Sequence, residues 1–414
     1  IEFACISFLE EARELHKTLP VCDGHNDLPW ATRCMEPAGP CGLNDLPLDV
    51  NNKDLKFSTN HGVLHTDIPR LIQGGIGWQF WSVYVPATVQ GGDAVQQTLE
   101  QIDYVHRLCE KYPETFEFAY NADDVQRIYD SGKIASMCGM EGGHQIGNSL
   151  ASLRMMHRLG CRYMTLTHNG GPLWADSAVS TDGVFLKDAP NNGLSTYGQE
   201  VVKEMNRIGM LVDLSHVHHV TMKAAIECSK VPVIFSHSSS RALCSHPRDV
   251  PDNVVSMLPA NGGVIMVTFV ASFIAGQFWV KDGKVGATVI EVADHIDHLK
   301  SICGVDHIGI GGDYDGCTDL ARGLEDVSCY PLLTAELLSR GYSHDDLKKI
   351  LGKNLIRVLK VAEDYANECK KYNRTTMKPS EMLYDDEKEL EEKIMKQKEK
   401  EKEEKEEKEK ESKA

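Results

Sequence analysis

The stretch GMLVDLSHVHHVTMKAAIECSKVPVIFSH, residues 209–237, decides the fold. It opens on GMLVDLSH (209–216), a short run with the apolar character of a buried parallel strand. An amphipathic helical stretch follows at 219–229, and a second apolar run, PVIFSH (232–237), closes it. Strand, helix, strand is the βαβ unit. Both apolar runs end in a histidine, His216 and His237.

Outward from this stretch the same alternation fills residues 1–384. Further strand-like runs are PVCDGH (20–25), GWQFWSVYV (77–85), KIASMCGME (133–141), RYMTLTH (162–168), GGVIMVTF (262–269) and HIGIGGD (307–313). Helical stretches lie between most of them, at 94–111, 150–159, 196–208, 252–260 and 288–302, and two more lie in 334–364. Leu153, Met156 and His157 recur at helical spacing, as do Val201, Val202, Met205 and Ile208. Eight such strands in roughly 300 residues predict a (β/α)₈ TIM-like barrel. A doubly wound open sheet is the rival, weakened because no Gly-x-Gly-x-x-Gly follows the first strand. From Asp385 to Ala414 the chain carries 14 Asp/Glu and 10 Lys with almost nothing apolar. That reads as a solvated helical or disordered tail, outside a single barrel domain at 1–384.

Of 414 residues, 42% are hydrophobic and 25% charged, which excludes collagen, a fully disordered chain and a multi-span membrane protein. The net charge of −17 argues against nucleic acid and anionic membrane surfaces as partners. Thirteen cysteines is an odd number, so at least one thiol is free or bridges to another chain. Cys138 and Cys161 read as buried thiols, whereas Cys22, Cys34 and Cys41 are close enough in sequence for a bridge. Residues 1–20 are charged and mixed, unlike a signal peptide; no run of 18 apolar residues and no lipid-anchor signal is visible. The sequence starts at Ile1 without Met, so a leader and the compartment, secreted or cytoplasmic, stay open. A glycosylation sequon begins at Asn373.

Six of the eight strands end in a metal-ligand or acid–base type. These are His25 (with Asp27 two residues on), Glu141, His168, His216, His237 and Asp313. In a barrel such ends converge on one mouth, and imidazoles with carboxylates there suit Zn²⁺ or a similar ion. His-x-Asp also occurs at 65, 295 and 344, but only His25–Asp27 follows an apolar strand, whose period of two aims both side chains one way. Glu141, in GMEGGH, can bridge two cations through its two oxygens. His218 and His219 neighbour His216; His216 is chosen because it directly leaves the strand. Asp313 and Asp315, in GGDYDG, are both candidates for the acid–base. No Gly-x-Ser-x-Gly elbow or phosphate-loop motif appears.

With these residues in place, the chain resembles the membrane (renal) dipeptidases. DGHNDLPW (23–30), QFWSVY (79–84), YPETF (112–116), EGGH (141–144), TLTHN (165–169), VIFSHSS (233–239), GGDYDG (311–316) and GLEDVS (323–328) carry the likeness in order, from about residue 20 to residue 365. The resemblance implies a barrel of the metallo-dependent hydrolase type with two zinc ions at its mouth, hydrolysing dipeptides. His25 and Asp27 would hold one zinc and His216 and His237 the other, with Glu141 between them. Asp313 would handle the protons of the attacking water. His168 would contact the scissile carbonyl, and Arg248 the substrate carboxylate.

The chain also departs from that family. Its animal members carry a disulfide at the positions of Ala87 and Gly170, and both cysteines are missing here. Cys244 matches a bridged family cysteine whose partner position is Gly276, so Cys244 is expected to be free. A substrate-pocket tyrosine of the family is Phe273. Animal members are extracellular, membrane-anchored and often disulfide-linked homodimers. Here no anchor is visible, and Cys369 is the local candidate for a linking thiol. The competing readings are a deaminase or lactam hydrolase on the same metal set, a catalytically dead binding barrel, and a charged tail acting as an interaction arm.

Overall fold

The computed structural model describes residues 4–34, 48–50, 63–276, 280–281 and 284–371. The Lys/Glu-rich stretch 385–414, the sequon at Asn373 and Cys41 lie outside the described residues.

Eight parallel strands run in chain order around a nearly closed barrel: β1 (Val21–Asn26), β2 (Ile76–Tyr84), β3 (Ile134–Glu141), β4 (Cys161–Thr165), β5 (Leu211–Asp213), β6 (Ile234–Phe235), β7 (Val264–Val267) and β8 (Ile308–Ile310). The expected (β/α)₈ architecture is therefore present, and the open doubly wound sheet is not. A short extra strand, Phe116–Phe118, pairs with the start of β3. No strand ladder joins β8 to β1. The seam is closed by a bridge between Asn26 and Tyr314, with Asp27 N donating to Tyr314 O (2.8 Å) and Asp313 N to His25 O (3.1 Å).

Alternation along the strands divides the core in two. Trp78, Phe80, Met137, Tyr163, Leu211 and Met266 fill the interior, and the helix Asn354–Lys371 adds Leu355, Val358 and Leu359 to that cluster. The residues between them in sequence, such as Trp81, Val83, Met140 and Val212, face outward into the layer of helices. This two-sided burial is why the strands read as continuous apolar runs. Gly139 is required by the interior packing, because a Cβ there would overlap the Tyr163 ring.

The regular ladders are shorter than the apolar runs. Pairing stops at Asp213, Phe235 and Ile310, two or three residues before His216, His237 and Asp313. At that point side chains replace the ladder. Asp213 Oδ1 accepts from Ser236 N (2.7 Å) and Ser215 N (3.2 Å), and Ser215 Oγ accepts from His237 N (3.0 Å). His216 and Asp313 then take left-handed backbone conformations, with φ of 68° and 62°, as does Asp315 at 64°. Such conformations in non-glycine residues are uncommon and gather at functional sites.

The helices differ from expectation in detail. The stretch 252–260 is two short helices, Asp252–Val255 and Leu258–Asn261. The chain after 329 forms three helices rather than two, Tyr330–Ser339, His344–Lys348 and Asn354–Lys371, the last two joined by a π-helical turn, Lys349–Lys353. Among the described residues no helix is long and apolar enough to cross a membrane. Cys22, Cys138, Cys161 and Cys244 are buried and unbridged, in accord with the expected free Cys244. Cys369, the candidate linking thiol, is also buried.

Candidate metal centre

All eight residues singled out from the sequence meet at the C-terminal mouth of the barrel or line the cavity above it. Glu141, the last residue of β3, is central. Its Oε1 lies 3.0 Å from His216 Nε2, 3.5 Å from both His25 Nε2 and His237 Nε2, and 3.9 Å from His168 Nε2. Its Oε2 accepts from Ser82 Oγ (3.2 Å). His25 Nε2 is also 3.2 Å from Asp27 Oδ2 and 3.9 Å from Asp313 Oδ1. Ligand-type atoms within 4.8 Å of one another form three overlapping groups: His25, Glu141 and His237; Glu141, His168 and His216; His25, Asp27 and Asp313.

The outer ring nitrogens fix which face each imidazole offers. Tyr163 donates its hydroxyl proton to Gly24 O (3.2 Å) and so accepts from His25 Nδ1 (2.9 Å). Ser236 donates to Asp213 Oδ2 (2.6 Å) and so accepts from His237 Nδ1 (2.8 Å). Asn169 Oδ1 accepts from His216 Nδ1 (3.2 Å). Each Nδ1 therefore keeps its proton, and three bare Nε2 lone pairs point at Glu141. His216 and His237 bring those nitrogens to 3.0 Å of each other, and buried His25 Nε2 makes no hydrogen bond. Lone pairs and carboxylates crowded in this way fit a bound cation.

The electrostatics agree. Burial, then the charges of Arg248 and the neighbouring imidazoles, holds His216 and His237 well below the ordinary histidine range. At His25 burial opposes positive charge, but Tyr163, Glu141 and Asp27 outweigh it, so these surroundings favour a cation at Nε2, whether a proton or a metal ion. Glu141 is pushed up by burial and pulled further down by His25, His168 and His216, so it stays ionised. Asp313 goes the other way: burial and the charges of Asp27 and Glu141 raise it well above the carboxylate range, against the pull of His25. Two neighbouring carboxylates are thus driven apart, Glu141 toward the ionised form and Asp313 toward the protonated one. Space is reserved beside them, since a Cβ at Gly316 would overlap Asp27 Oδ2 and Asp313 Oδ1.

The structure separates the two acid–base candidates. Both line the cavity, but the Asp315 side chain is fully buried and accepts from His65 N (2.6 Å), whereas the Asp313 side chain remains 13% exposed. His168 is held down to about 4, chiefly by burial, and is neutral at pH 7. Arg248 is buried at 2% exposure, and neither of its Nη atoms has a partner. A buried guanidinium without a partner is costly and awaits an anion. The bland reading of Arg248 as a surface residue is excluded. The cavity has a volume of about 430 Å³ and is lined by Asp27, Tyr84, Glu141, His168, Arg248 and Asp313, among others. His218 and His219 lie tilted against each other, ring centroids 4.2 Å apart, at the start of the helix His219–Cys228, and neither lines the cavity or joins the ligand groups.

Sequence reasoning missed the supports. Asp213 and Asp23 are buried acids inside apolar runs, and that anomaly was the available signal. Asp23 Oδ1 accepts from His25 N (3.1 Å) and Gly312 N (2.9 Å), tying the ends of β1 and β8 together. Tyr163 and Asn169 carried no signal, because only the fold places them behind His25 and His216; Ser236 adjoins His237 in sequence, but its link to Asp213 is made across the strands.

Residues 9–373 match the family described as membrane dipeptidase (Peptidase family M19). A dipeptidase of Clonostachys rogersoniana, named verJ, is 41% identical over 372 residues, 87% of this chain and 89% of that protein. The barrel resembles the probable dipeptidase PvdM from Pseudomonas aeruginosa with a TM-score of 0.72 at 21% identity, over 87% of this chain and 99% of that one. A metallopeptidase from Rhodobacter sphaeroides, solved with a phosphinate mimic of the dipeptide L-Ala-D-Ala, gives a TM-score of 0.70 at 24% identity, over 83% and 99%. On the match across nearly its whole length and the identity to a curated dipeptidase, this chain belongs to the membrane dipeptidase family of metallopeptidases.

Proposed function

We propose that the protein is a binuclear zinc dipeptidase. The observation that carries this is the convergence of three Nε2 lone pairs, each fixed by an outer hydrogen bond, on the ionised Glu141. His25 and Asp27 would hold one zinc, His216 and His237 the other, and Glu141 would bridge them. Two zinc ions there would supply Lewis acidity toward the peptide carbonyl and lower the pKa of the attacking water.

The chain's own groups divide the remaining work. Arg248 forms a bidentate pair with the C-terminal carboxylate through its two unpartnered Nη atoms. That pair closes one end of a short cavity and limits the substrate to dipeptide length. His168, neutral at pH 7 and beside Glu141, donates a hydrogen bond to the carbonyl oxygen as negative charge develops on it. Asp313 takes the proton of the attacking water and delivers it to the leaving amine, a role suited to its raised pKa. We also assign catalysis to a single barrel at 1–384, with 385–414 as an appended arm.

The test is zinc content and hydrolysis of Gly-containing dipeptides, on the intact chain, on Glu141→Ala and on a chain ending at 384. About two zincs per chain are expected, with metal and turnover lost together in Glu141→Ala and turnover kept in the truncation. Metal without turnover of any dipeptide would move the site to another amide or amine substrate.

A further inference from the structure

A second cavity opens at the opposite end of the barrel, where the strands begin. It has a volume of about 370 Å³ and lies between the last turn of the helix Leu150–Arg158, the start of β4 and the helix Asn354–Lys371. Its most deeply buried charged group is Arg162, at 7% exposure. Three carbonyls accept from this guanidinium: Tyr120 O from Nε (2.6 Å), and His157 O (2.8 Å) and Cys161 O (2.9 Å) from Nη1. Nη2 has no such acceptor, and Arg162 forms no ion pair with any described carboxylate. A buried cation without a counter-ion is costly. His157 and Lys370 line the cavity beside it. Burial and the charges of Arg162, Lys370 and Arg158 hold His157 down to about 3, so its imidazole is neutral, and among the described residues its ring makes no hydrogen bond. The other side of the cavity is acidic. Glu363 Oε1 accepts from Ala122 N (3.0 Å), and burial with the charges of Asp123 and Asp364 raises Glu363 against the pull of that bond and of Arg162. Asp123 is paired with Lys360 at 3.0 Å, whereas Asp364 has no ion-pair partner among the described residues.

From this division of charge we propose that the cavity binds a free apolar α-amino acid as its zwitterion. The carboxylate pairs with Arg162 Nη2 and Lys370, the neutral His157 ring donates a further hydrogen bond to it, and the ammonium meets Asp364. A plain anion would gain the cationic end and meet carboxylates at the other, and a plain cation the reverse. A ligand carrying both charges satisfies both ends. Tyr120, Ile208 and Ala366 give its side chain an apolar wall, with the Tyr120 ring, 43% exposed, lying under the Arg162 guanidinium at 5.9 Å. No residue of the mouth takes part. On the dipeptidase reading such molecules are the products released there, but the site itself does not depend on that reading.

The experiment is calorimetric titration of the zinc-loaded full chain carrying Arg248→Met, which removes the carboxylate-binding group of the mouth. The probes are L-leucine, isocaproate (leucine without its amine) and isoamylamine (leucine without its carboxylate). One leucine per chain is expected, with each analogue weaker by about tenfold or more. Lys370→Glu and Asp364→Lys, both at exposed positions, should each weaken leucine by about threefold to tenfold. Absence of leucine binding, or binding that neither variant alters, would overturn the site. Equal affinity for leucine and isocaproate would overturn the zwitterion and leave a plain anion site. Because binding is read without turnover, failure of the dipeptidase reading shows separately, as a chain that binds leucine here and hydrolyses no dipeptide.

Discussion

His65 and Asp315 hold each other by a reciprocal pair of hydrogen bonds: Asp315 N donates to His65 Nδ1 at 3.0 Å, and His65 N donates to Asp315 Oδ1 at 2.6 Å. The next residue, Thr66, accepts from Asn26 Nδ2 at 2.8 Å. A segment outside the barrel thus grips both sides of the β8–β1 seam, one residue from Asp27 and two from Asp313. Asp313 and Asp315 sit in left-handed conformations that this grip sustains.

The atom that matters in His65 is Nδ1. His65→Leu should lower kcat about tenfold to a hundredfold, with KM and zinc content little changed, because Asp313 is misplaced. His65→Asn, whose side-chain oxygen falls near the lost nitrogen, should recover most of the rate. Equal losses in the two variants would show that the imidazole only fills space.

Asp213 acts on the metal site through Ser236, which accepts from His237 Nδ1, and it also accepts from the Thr165 hydroxyl. Asp213→Asn should weaken zinc binding about tenfold to a hundredfold, read by competition with a chelator. Ser236→Ala should move in the same direction. Unchanged affinity in both would mean that His237 is oriented by packing alone.

Arg248→Met removes the buried charge while keeping apolar bulk. Hydrolysis of a free dipeptide should fall about a hundredfold or more in kcat/KM, whereas the corresponding dipeptide amide should be nearly unaffected. A similar loss on both substrates would place Arg248 outside carboxylate recognition.

Acid should destabilise the fold through buried neutral histidines remote from the mouth. His16 donates from Nδ1 to Gly74 O (3.0 Å) and accepts at Nε2 from Thr334 Oγ1 (2.8 Å); burial holds it down to about 4 against an ordinary 6.5. Its contribution is complete above pH 6.5. It is lost as pH falls toward 4, where the unfolded chain binds a proton that the folded chain refuses. The loss from this one group is about 3 kcal/mol. His16→Gln should be less stable at pH 7 yet show a shallower decline of the urea midpoint down to pH 4.5. An unaltered slope would remove His16 from the account.

The barrel was readable because parallel strands buried on both faces write themselves as apolar runs, and because a chemically distinct residue ends most of them. Strand length was not readable. At β6 the ladder stops after two residues because the Asp213 carboxylate takes over as acceptor, which depends on a neighbour 23 positions away. Asp313 and Asp315 were equivalent by spacing, and only His65, some 250 residues distant, separates them. The helix Leu28–Arg33 went unseen because it begins directly after Asp27, with no polar linker to announce it.

The seam gives the two halves of the centre different compliance. Glu141, His216 and His237 ride on staves joined by successive strand pairings from β3 to β6. Asp27 and Asp313 face each other across the one joint where the hoop has no ladder. A slight spreading of the hoop would widen the gap between those two carboxylates while the opposite arc stayed rigid. On the proposed reading, the part of the mouth that passes the proton is thus the part held by the His65 and Thr66 hydrogen bonds rather than by a strand ladder.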